Sequence, residues 1–147
     1  MNDAQARAAA LDLSRHVAIR APAGSGKTAL LIQRMLAALA DCEEPEAVLA
    51  ITFTRKAAAE MQHRILEALR WSQGSAAPET GYKRQSWLLA QAVLQQDRER
   101  GWQLLENPSR LKVQTIDGLC SRLTKSLPTL AQFGAQPEIA QDPYPLY

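Results

Sequence analysis

The sequence predicts an α/β fold in which helices flank a parallel sheet, and three patterns indicate it. A glycine-rich turn joins a short predicted strand with alternating side chains, 17–20, to an apolar helix that begins near Thr28. The continuous apolar run at 47–53 is typical of a parallel strand that is buried on both faces. An amphipathic helical pattern at 55–71 follows that run directly. This order predicts a βαβ unit with a right-handed crossover.

The glycine-rich turn has the pattern of a phosphate-binding P-loop, or Walker A motif. Gly24 and Gly26 allow positive φ angles, so that backbone N–H groups can curl around a phosphate. We expect Lys27 to reach the β- and γ-phosphate oxygens and Thr28 to bind Mg²⁺. Ala21 stands where the general pattern has glycine, and the alternative is an ordinary turn with a solvated lysine. The residues of the loop that we expect to surround the phosphates are Ala23, Gly24, Ser25, Gly26, Lys27 and Thr28.

A first helix is predicted upstream of the loop, over the alanine-rich segment 2–13. Gln5 lies in its first turn. Because a glutamine amide can pair with both N6 and N7 of adenine, Gln5 is a candidate reader of the nucleotide base. Taken alone, a glutamine at this place is more often an exposed polar residue.

The second predicted strand ends in a group of polar, aromatic and basic side chains. Ligands gather at the carboxyl ends of strands in open α/β sheets, so this group lies at the same edge as the P-loop. Hydroxyls, a ring and cations together suit single-stranded DNA, which is held by phosphate contacts and base stacking. The alternative, which the residues alone favour, places the ring in the core and the cations on a solvated face. The group comprises Thr52, Phe53, Thr54, Arg55 and Lys56.

The remaining segments are predicted from the glycine, proline and other turn-forming residues that separate them. A loop rich in Ser, Gly, Ala and Pro covers 72–80, and two helical pieces follow at 85–100 and 102–106, separated at Gly101. A third strand is predicted at 111–116, followed by a helix for which Asp117 is the expected N-cap. Proline-rich residues 128–147 are predicted to form an extended tail. The expected apolar anchors of the helical pieces are Trp87, Leu88, Leu94, Trp102 and Leu105.

Composition adds few constraints. The net charge of +2 neither indicates nor excludes a nucleic-acid partner, because a local patch would decide that. Cys42 and Cys120 are far apart and lack metal-ligand spacing, which predicts reduced thiols. The sequence has neither a signal-peptide pattern nor an apolar run long enough to span a bilayer, so we expect a cytoplasmic protein without membrane contacts.

One part of a P-loop ATPase is missing from the pattern. Such an enzyme needs an Asp-Glu pair at the end of an apolar strand, for Mg²⁺ and for the attacking water. No apolar run here ends in that pair, and Ile116-Asp117 is the closest approach. We therefore expect the chain to stop before its catalytic half.

Taken in order, these motifs resemble the N-terminal part of a superfamily 1 DNA helicase of the UvrD/RecB group. The resemblance covers the Q motif at 2–5, motif I at 21–28, motif Ia at 51–61 and the next DNA-contacting motif at 115–120. Asp117 replaces the histidine usual in UvrD and Rep. This Thr-Ile-Asp form is similar to RecB and AddA proteins, which are helicase-nuclease subunits.

The resemblance implies a first RecA-like ATP-binding domain over 1–127, incomplete, with a helical excursion at 72–110 and a tail at 128–147 that leads into an absent remainder. It implies an ATP-dependent DNA helicase of double-strand-break repair. Mg-ATP would be held by the P-loop residues 23–28, with Lys27 and Thr28 as the catalytic pair, and Gln5 would contact adenine. It also implies a second subunit of the AddB/RecC type and DNA ends as substrate. The implied single-stranded-DNA contacts are Thr52, Phe53, Thr54, Arg55, Thr115 and Asp117.

Two other functions stay open from the residues. One is a stand-alone P-loop nucleotide-binding module without motor activity. The other is a small P-loop kinase, which the eleven-residue match at 51–61 and the lack of a lid arginine cluster disfavour. The isolated chain is expected to be inactive as a motor, because the second RecA-like domain would be absent.

Overall fold

A computed structural model describes residues 3–127, with side chains from residue 5 onward. The predicted tail at 128–147 lies outside the described residues. Short 3-10 turns cover Pro45–Ala47 and Pro108–Arg110. The regular elements are α1 Asp3–Leu11, α2 Lys27–Asp41, β1 Leu49–Thr52, α3 Arg55–Gly74, α4 Gly81–Arg100, β2 Lys112–Thr115 and α5 Ile116–Ser126.

The two strands pair in parallel, with Leu49 opposite Lys112 and Thr52 opposite Thr115. Helices α3 and α4 form the crossover between them, which agrees with the predicted parallel sheet. The βαβ unit predicted across the P-loop helix is not formed, because no strand precedes that helix in the described residues. Helices around a small parallel sheet agree with the predicted α/β class. Because β1 and β2 are neighbours in register, their carboxyl ends reach the same edge.

Two predictions about the strands are wrong. Residues 17–20 form no strand, although their side chains alternate. A strand needs a hydrogen-bonded neighbour, and in the described part of the chain the sheet consists of β1 and β2. β1 is also not buried on both faces, because Leu49 and Ile51 keep 41% and 47% of their surface exposed. The apolar run therefore has one uncovered side.

The core lies between α2, α3 and α4. Leucine and isoleucine side chains of α2 and α3 pack against α4 there. Helix α4 lies within the predicted excursion at 72–110, and it is part of the main hydrophobic cluster. Burial of such side chains contributes about 1.5–3 kcal/mol each. The fully buried members include Leu36, Leu39, Ile65, Leu69, Ala90 and Val93.

The predicted helical piece at 102–106 is a turn instead. Gly101 ends α4 in the left-handed region at φ 65°, and Gln103 also has a positive φ of 57°. The Asp97 carboxylate accepts the Leu104 N–H at 2.9 Å and closes the turn. This geometry buries Trp102, as predicted for an apolar anchor, with 2% of its surface exposed. Leu88, another predicted anchor, is exposed.

Glutamine side chains join the helices to backbone carbonyls. Gln33 of α2 is only 2% exposed, and its Nε2 donates to the Tyr82 carbonyl at 3.0 Å and to Ser86 Oγ at 2.8 Å. Gln96 of α4 donates to the Cys42 carbonyl at 3.0 Å. These bonds fix α4 against the P-loop helix from both ends.

Replacing Gln33 with leucine is expected to lower the free energy of unfolding by about 1–2 kcal/mol, because both hydrogen bonds of a buried amide are lost. Urea unfolding followed by circular dichroism measures this change. Gln95→Leu is the matched control, since Gln95 is exposed and donates to Glu99 on the same helix. Equal effects of the two substitutions would contradict the anchoring role of Gln33.

A cluster of ion pairs joins the two 3-10 turns. Arg110 donates from Nε to Glu46 at 2.7 Å and from Nη2 to Glu44 at 2.9 Å. The hydrogen bond from Arg110 holds the pKa of Glu46 below its ordinary value of 4.5. The lowered pKa means that this pair stabilises the fold above the ordinary pKa, and that the stabilisation is lost as the pH falls through the folded value.

Glu46→Gln should therefore make stability less sensitive to acid. We expect the variant to lose less free energy of unfolding than the unmodified chain between about pH 7 and about pH 3. Urea titrations at both pH values measure the difference, and Glu43→Gln, a neighbouring exposed carboxylate, is the control. The same acid sensitivity in all three proteins would show that the Arg110 pair does not couple to pH.

Candidate nucleotide site and nucleic-acid interface

The glycine-rich loop has the positive φ angles that the sequence predicts and leads directly into a helix, although the predicted strand before it is not formed. Gly24 and Gly26 lie at φ 78° and 82°, where a side chain would be strained. Gly26 is the N-cap of α2, and this helix starts without a side-chain cap and without an acidic residue in its first turn. The positive end of the helix is thus open to an anion.

Two side chains of the loop form hydrogen bonds with backbone carbonyls of the same loop. Lys27 Nζ donates to the carbonyl oxygens of Ala21 and Pro22 at 2.6 and 2.5 Å, and Ser25 Oγ donates to Pro22 at 2.8 Å. Thr28 is exposed in the first turn of α2. An ammonium inside a loop of curled backbone, beside an exposed hydroxyl, fits a phosphate chain and its magnesium ion.

A cavity of about 470 Å³ adjoins this loop. It lies between α1, the segment 15–21 and the start of α2. Its wall is partly apolar, from Ala6, Ala9 and Ile19, and partly basic. Gln5, the predicted adenine reader, is exposed on α1 directly beside Ala6. The space is thus next to the loop, where a base attached to bound phosphates would extend.

Two arginines that the sequence did not indicate hold the wall of this cavity: Arg7 lines it, and Arg34 lies outside it but bonds to its wall residues Ala10 and Arg15. Arg7 of α1 donates to the Ser25 carbonyl at 3.1 Å. Arg34 of α2 donates to the carbonyls of Ala10, Asp12 and Arg15. Their partners are backbone carbonyls at least 18 residues away in sequence, so no side-chain pattern could have indicated them.

The ends of β1 and β2 surround a second cavity of about 330 Å³. Four predicted DNA contacts line it together: Phe53, Arg55, Thr115 and Asp117. The Phe53 ring is 88% exposed, so the alternative that places it in the core is wrong. An exposed ring beside a cation is an arrangement that can stack a base and pair a phosphate.

The three threonines among the predicted DNA contacts have different hydrogen-bonding roles. Thr54 accepts the Ala57 N–H at 3.1 Å and caps α3, while Thr115 accepts the Gly118 N–H at 3.0 Å and caps α5. Each of these two hydroxyls keeps its own proton to donate. The Thr52 hydroxyl donates its proton to the Thr54 carbonyl at 3.0 Å, so it can act only as an acceptor.

The sequence predicted Asp117 as the N-cap of α5, and this prediction is wrong. Thr115 is the N-cap, and Asp117 lies in the first turn of the helix. Gly118 permits this arrangement: a Cβ there would lie 3.2 Å from Thr115 Oγ1. The Asp117 carboxylate is exposed at the edge of the cavity. An acidic residue in the first turn is stabilised by the positive end of the helix. From DNA, a carboxylate can accept a hydrogen bond from a base amino group but is repelled by phosphate.

Arg55 and Lys56 occupy the first turn of α3, and no acidic residue accompanies them there. Cations at a helix N-terminus are unfavourable by about 0.3–1 kcal/mol each. Both side chains are exposed. A local cost of this kind, at a strand end and beside Phe53, favours a binding role over an ordinary solvated face.

Within 3–127, His, Cys, Asp and Glu side chains form no group of three that could hold a metal ion. No helix in that range is both long and apolar enough to cross a membrane.

Comparison with known proteins gives consistent results. The chain is 34% identical to DNA helicase II of Escherichia coli over 129 residues, which is 86% of the chain but 17% of that protein. It is 48% identical over 67 residues, 44% of the chain, to the AddA subunit of the ATP-dependent helicase/nuclease of Desulfitobacterium hafniense, of which it covers 5%. The AddA protein of Bacillus licheniformis is 48% identical over 58 residues, 37% of the chain and 5% of that protein.

No solved structure matches the chain significantly. The chain spans less than a fifth of the curated relatives described above. The family model described as the UvrD/REP helicase N-terminal domain matches residues 1–142. The chain therefore belongs to the UvrD/REP helicase N-terminal domain family.

Proposed function

We propose that the chain is the first RecA-like domain, 1–127, of an ATP-dependent DNA helicase, with 128–147 leading into the rest of that protein. The observation that carries this proposal is the meeting of two strand ends around one cavity beside an exposed Phe53 ring. A nucleotide kinase has no use for such a surface. A helicase needs it, because single-stranded DNA is held by stacking and by phosphate contacts.

The nucleotide site of this proposal is the P-loop. Curled N–H groups at Gly24 and Gly26 and the open start of α2 receive the phosphates, with Lys27 as their counter-charge. Magnesium, bound at Thr28, adds charge neutralisation when ATP is present. Gln5 pairs with adenine from α1. Ala23 and Ser25 complete the loop, and Ser25 fixes its shape through the bond to Pro22.

The DNA site is divided by chemistry. Phe53 stacks a base, and Arg55 pairs with a phosphate near the starts of α3 and α5. Thr54 and Thr115 donate their free hydroxyl protons to phosphate oxygens. Asp117 accepts a base amino group. Thr52 serves mainly to shape the strand end, because its proton is bound to the Thr54 carbonyl.

The wider role we propose is double-strand-break repair and recombination in the cytoplasm, in an AddA-like protein. It rests on the Thr-Ile-Asp sequence at 115–117 and on the similarity to two AddA helicase/nuclease proteins. Such a protein would act at DNA ends, would include an exonuclease and would work with an AddB/RecC-like second subunit. The motor would be completed by a second RecA-like domain.

Reversing the charges of Arg55 and Lys56 is expected to change stability and DNA binding in opposite directions. The double glutamate variant places acids at the start of α3, so the free energy of unfolding should rise by roughly 0.5–2 kcal/mol. Affinity for oligo(dT) should fall, and the salt dependence of log K should flatten by about 0.7 per lost phosphate contact. Fluorescence anisotropy at several salt concentrations measures both binding quantities.

The control is the same reversal at Lys83 and Arg84, which lie in the first turn of α4 and are also exposed. That variant should gain stability similarly without losing DNA affinity. Unchanged affinity and salt slope in the Arg55 and Lys56 variant would return these residues to an ordinary solvated face.

The motor itself is tested on the full-length protein, produced both unmodified and with Lys27→Ala. DNA-stimulated ATPase activity that disappears in Lys27→Ala supports the helicase proposal. ATP binding without any stimulation by DNA would instead support a stand-alone nucleotide-binding module.

A further inference from the structure

Helix α1 has little stability of its own. It has nine residues, five of them alanine, and helices shorter than about 12–15 residues are marginal in water. It also has no basic residue in its last turn to interact with the terminal carbonyls. The position of this helix must therefore come from contacts with its neighbours.

Arg34 of the P-loop helix supplies the missing cation. Its Nη1 donates to the Ala10 carbonyl at 2.5 Å and to the Asp12 carbonyl at 3.1 Å, and its Nη2 donates to the Arg15 carbonyl at 2.9 Å. One guanidinium is thus hydrogen-bonded to the end of α1 and to the turn that follows it. A cation is favoured there by the negative end of the helix.

The P-loop does not depend on these bonds. Its shape is set by Gly24 and Gly26 and by the bond from Ser25 to Pro22, and α2 is packed into the core through Leu36 and Leu39. Removing Arg34 would free the C-terminal end of α1 and the turn at 12–15, whereas Arg7 would still join α1 to the Ser25 carbonyl of the phosphate loop. The glycines and the Ser25 bond to Pro22 still set the shape of the loop, so the orientation of α1 can change without loss of the phosphate site.

We propose that Arg34 is a positioning residue for base recognition: it holds α1, and with it Gln5, beside the nucleotide cavity. This inference rests on the proposed ATP-binding function. Arg34 sets the preference for adenine over other bases, whereas the P-loop sets the affinity for phosphate. The two contributions have separate readouts.

The test measures displacement of a fluorescent ATP analogue from the full 147-residue chain by ATP, GTP and inorganic tripolyphosphate. In Arg34→Ala, the preference for ATP over GTP should fall about tenfold, in line with the loss of one bidentate base contact. Affinity for tripolyphosphate should stay within about twofold. Arg34→Lys, which keeps the cation but not the planar fork, should retain an intermediate preference.

The matched control is Arg84→Ala, which removes another arginine that donates to a backbone carbonyl, that of Glu79 at 3.0 Å. It should leave all three affinities unchanged. A wild-type preference in both Arg34 variants would overturn the inference, and so would an equal loss for ATP, GTP and tripolyphosphate in them. Equal binding of ATP and GTP by the unmodified chain would also overturn it.

Failure of the proposed function gives a different result. An unmodified chain that binds neither ATP nor tripolyphosphate has no working P-loop, and both the function and this inference are then wrong. If Arg34→Ala does not fold, the lysine variant still decides: an unchanged ATP to GTP ratio in it, together with an unchanged ratio in Arg34→Gln, contradicts the positioning role.

Discussion

Replacing Lys27 with alanine is expected to lower affinity for ATP and for tripolyphosphate by at least about tenfold. A charge-assisted hydrogen bond contributes roughly 1.5–3 kcal/mol, and Lys27 is the cation placed inside the loop, bonded to the carbonyls of Ala21 and Pro22. Both ligands should lose affinity equally, because the lysine interacts with phosphate and not with the base. Displacement of a fluorescent ATP analogue measures the change.

Stability should change little in the same variant, since the lost bonds are exposed ones to loop carbonyls. Lys83→Ala, which removes an exposed lysine of α4, is the control for net charge. Retained affinity for tripolyphosphate in Lys27→Ala would contradict the proposal that Lys27 binds phosphate in this loop. A large fall in stability would instead indicate that the lysine is a structural part of the loop.

Replacing Phe53 with alanine is expected to weaken single-stranded DNA binding by about 5-fold to 100-fold. Stacking on an aromatic side chain contributes roughly 1–3 kcal/mol per base, and the ring is almost fully exposed at the edge of the second cavity. Because so little of the ring is buried, the free energy of unfolding should stay within about 0.5 kcal/mol. Anisotropy with labelled oligo(dT) measures the binding.

Phe53→Trp should keep or improve the affinity, since a larger ring stacks at least as well. Tyr82→Ala, another exposed aromatic, on α4, is the control away from the strand ends. The stacking role is wrong if Phe53→Ala binds DNA as the unmodified chain does, or if its stability falls by as much as a buried ring would cost.

Much of the nucleotide loop could be predicted because its chemistry is local. The positive φ of Gly24 and Gly26 and the start of α2 follow from a few adjacent residues. The same holds for the start of α3, where Thr54 can cap the helix through a neighbour three residues on. Patterns within one turn of the chain are visible in the sequence.

The errors arose where structure depends on distant partners. The alternation at 17–20 indicates a strand, yet pairing requires a neighbouring strand that periodicity does not supply. For Phe53, the residues alone favoured burial in the core, because whether a ring at a strand end is covered depends on what packs over it. Arg34 was missed for the same reason, because its partners are carbonyls far along the chain.

The register that places Thr52 opposite Thr115 also determines how the molecule should melt. A slip of one residue would turn every side chain of a strand to the other face. The strand ends around Phe53 are therefore either in register or unpaired, and we expect this surface to be lost only when β1 and β2 separate. Helix α1, attached through arginine bonds to carbonyls, can detach while the core stays folded. On warming, base selectivity should therefore disappear first and gradually, and DNA binding later, in one cooperative step.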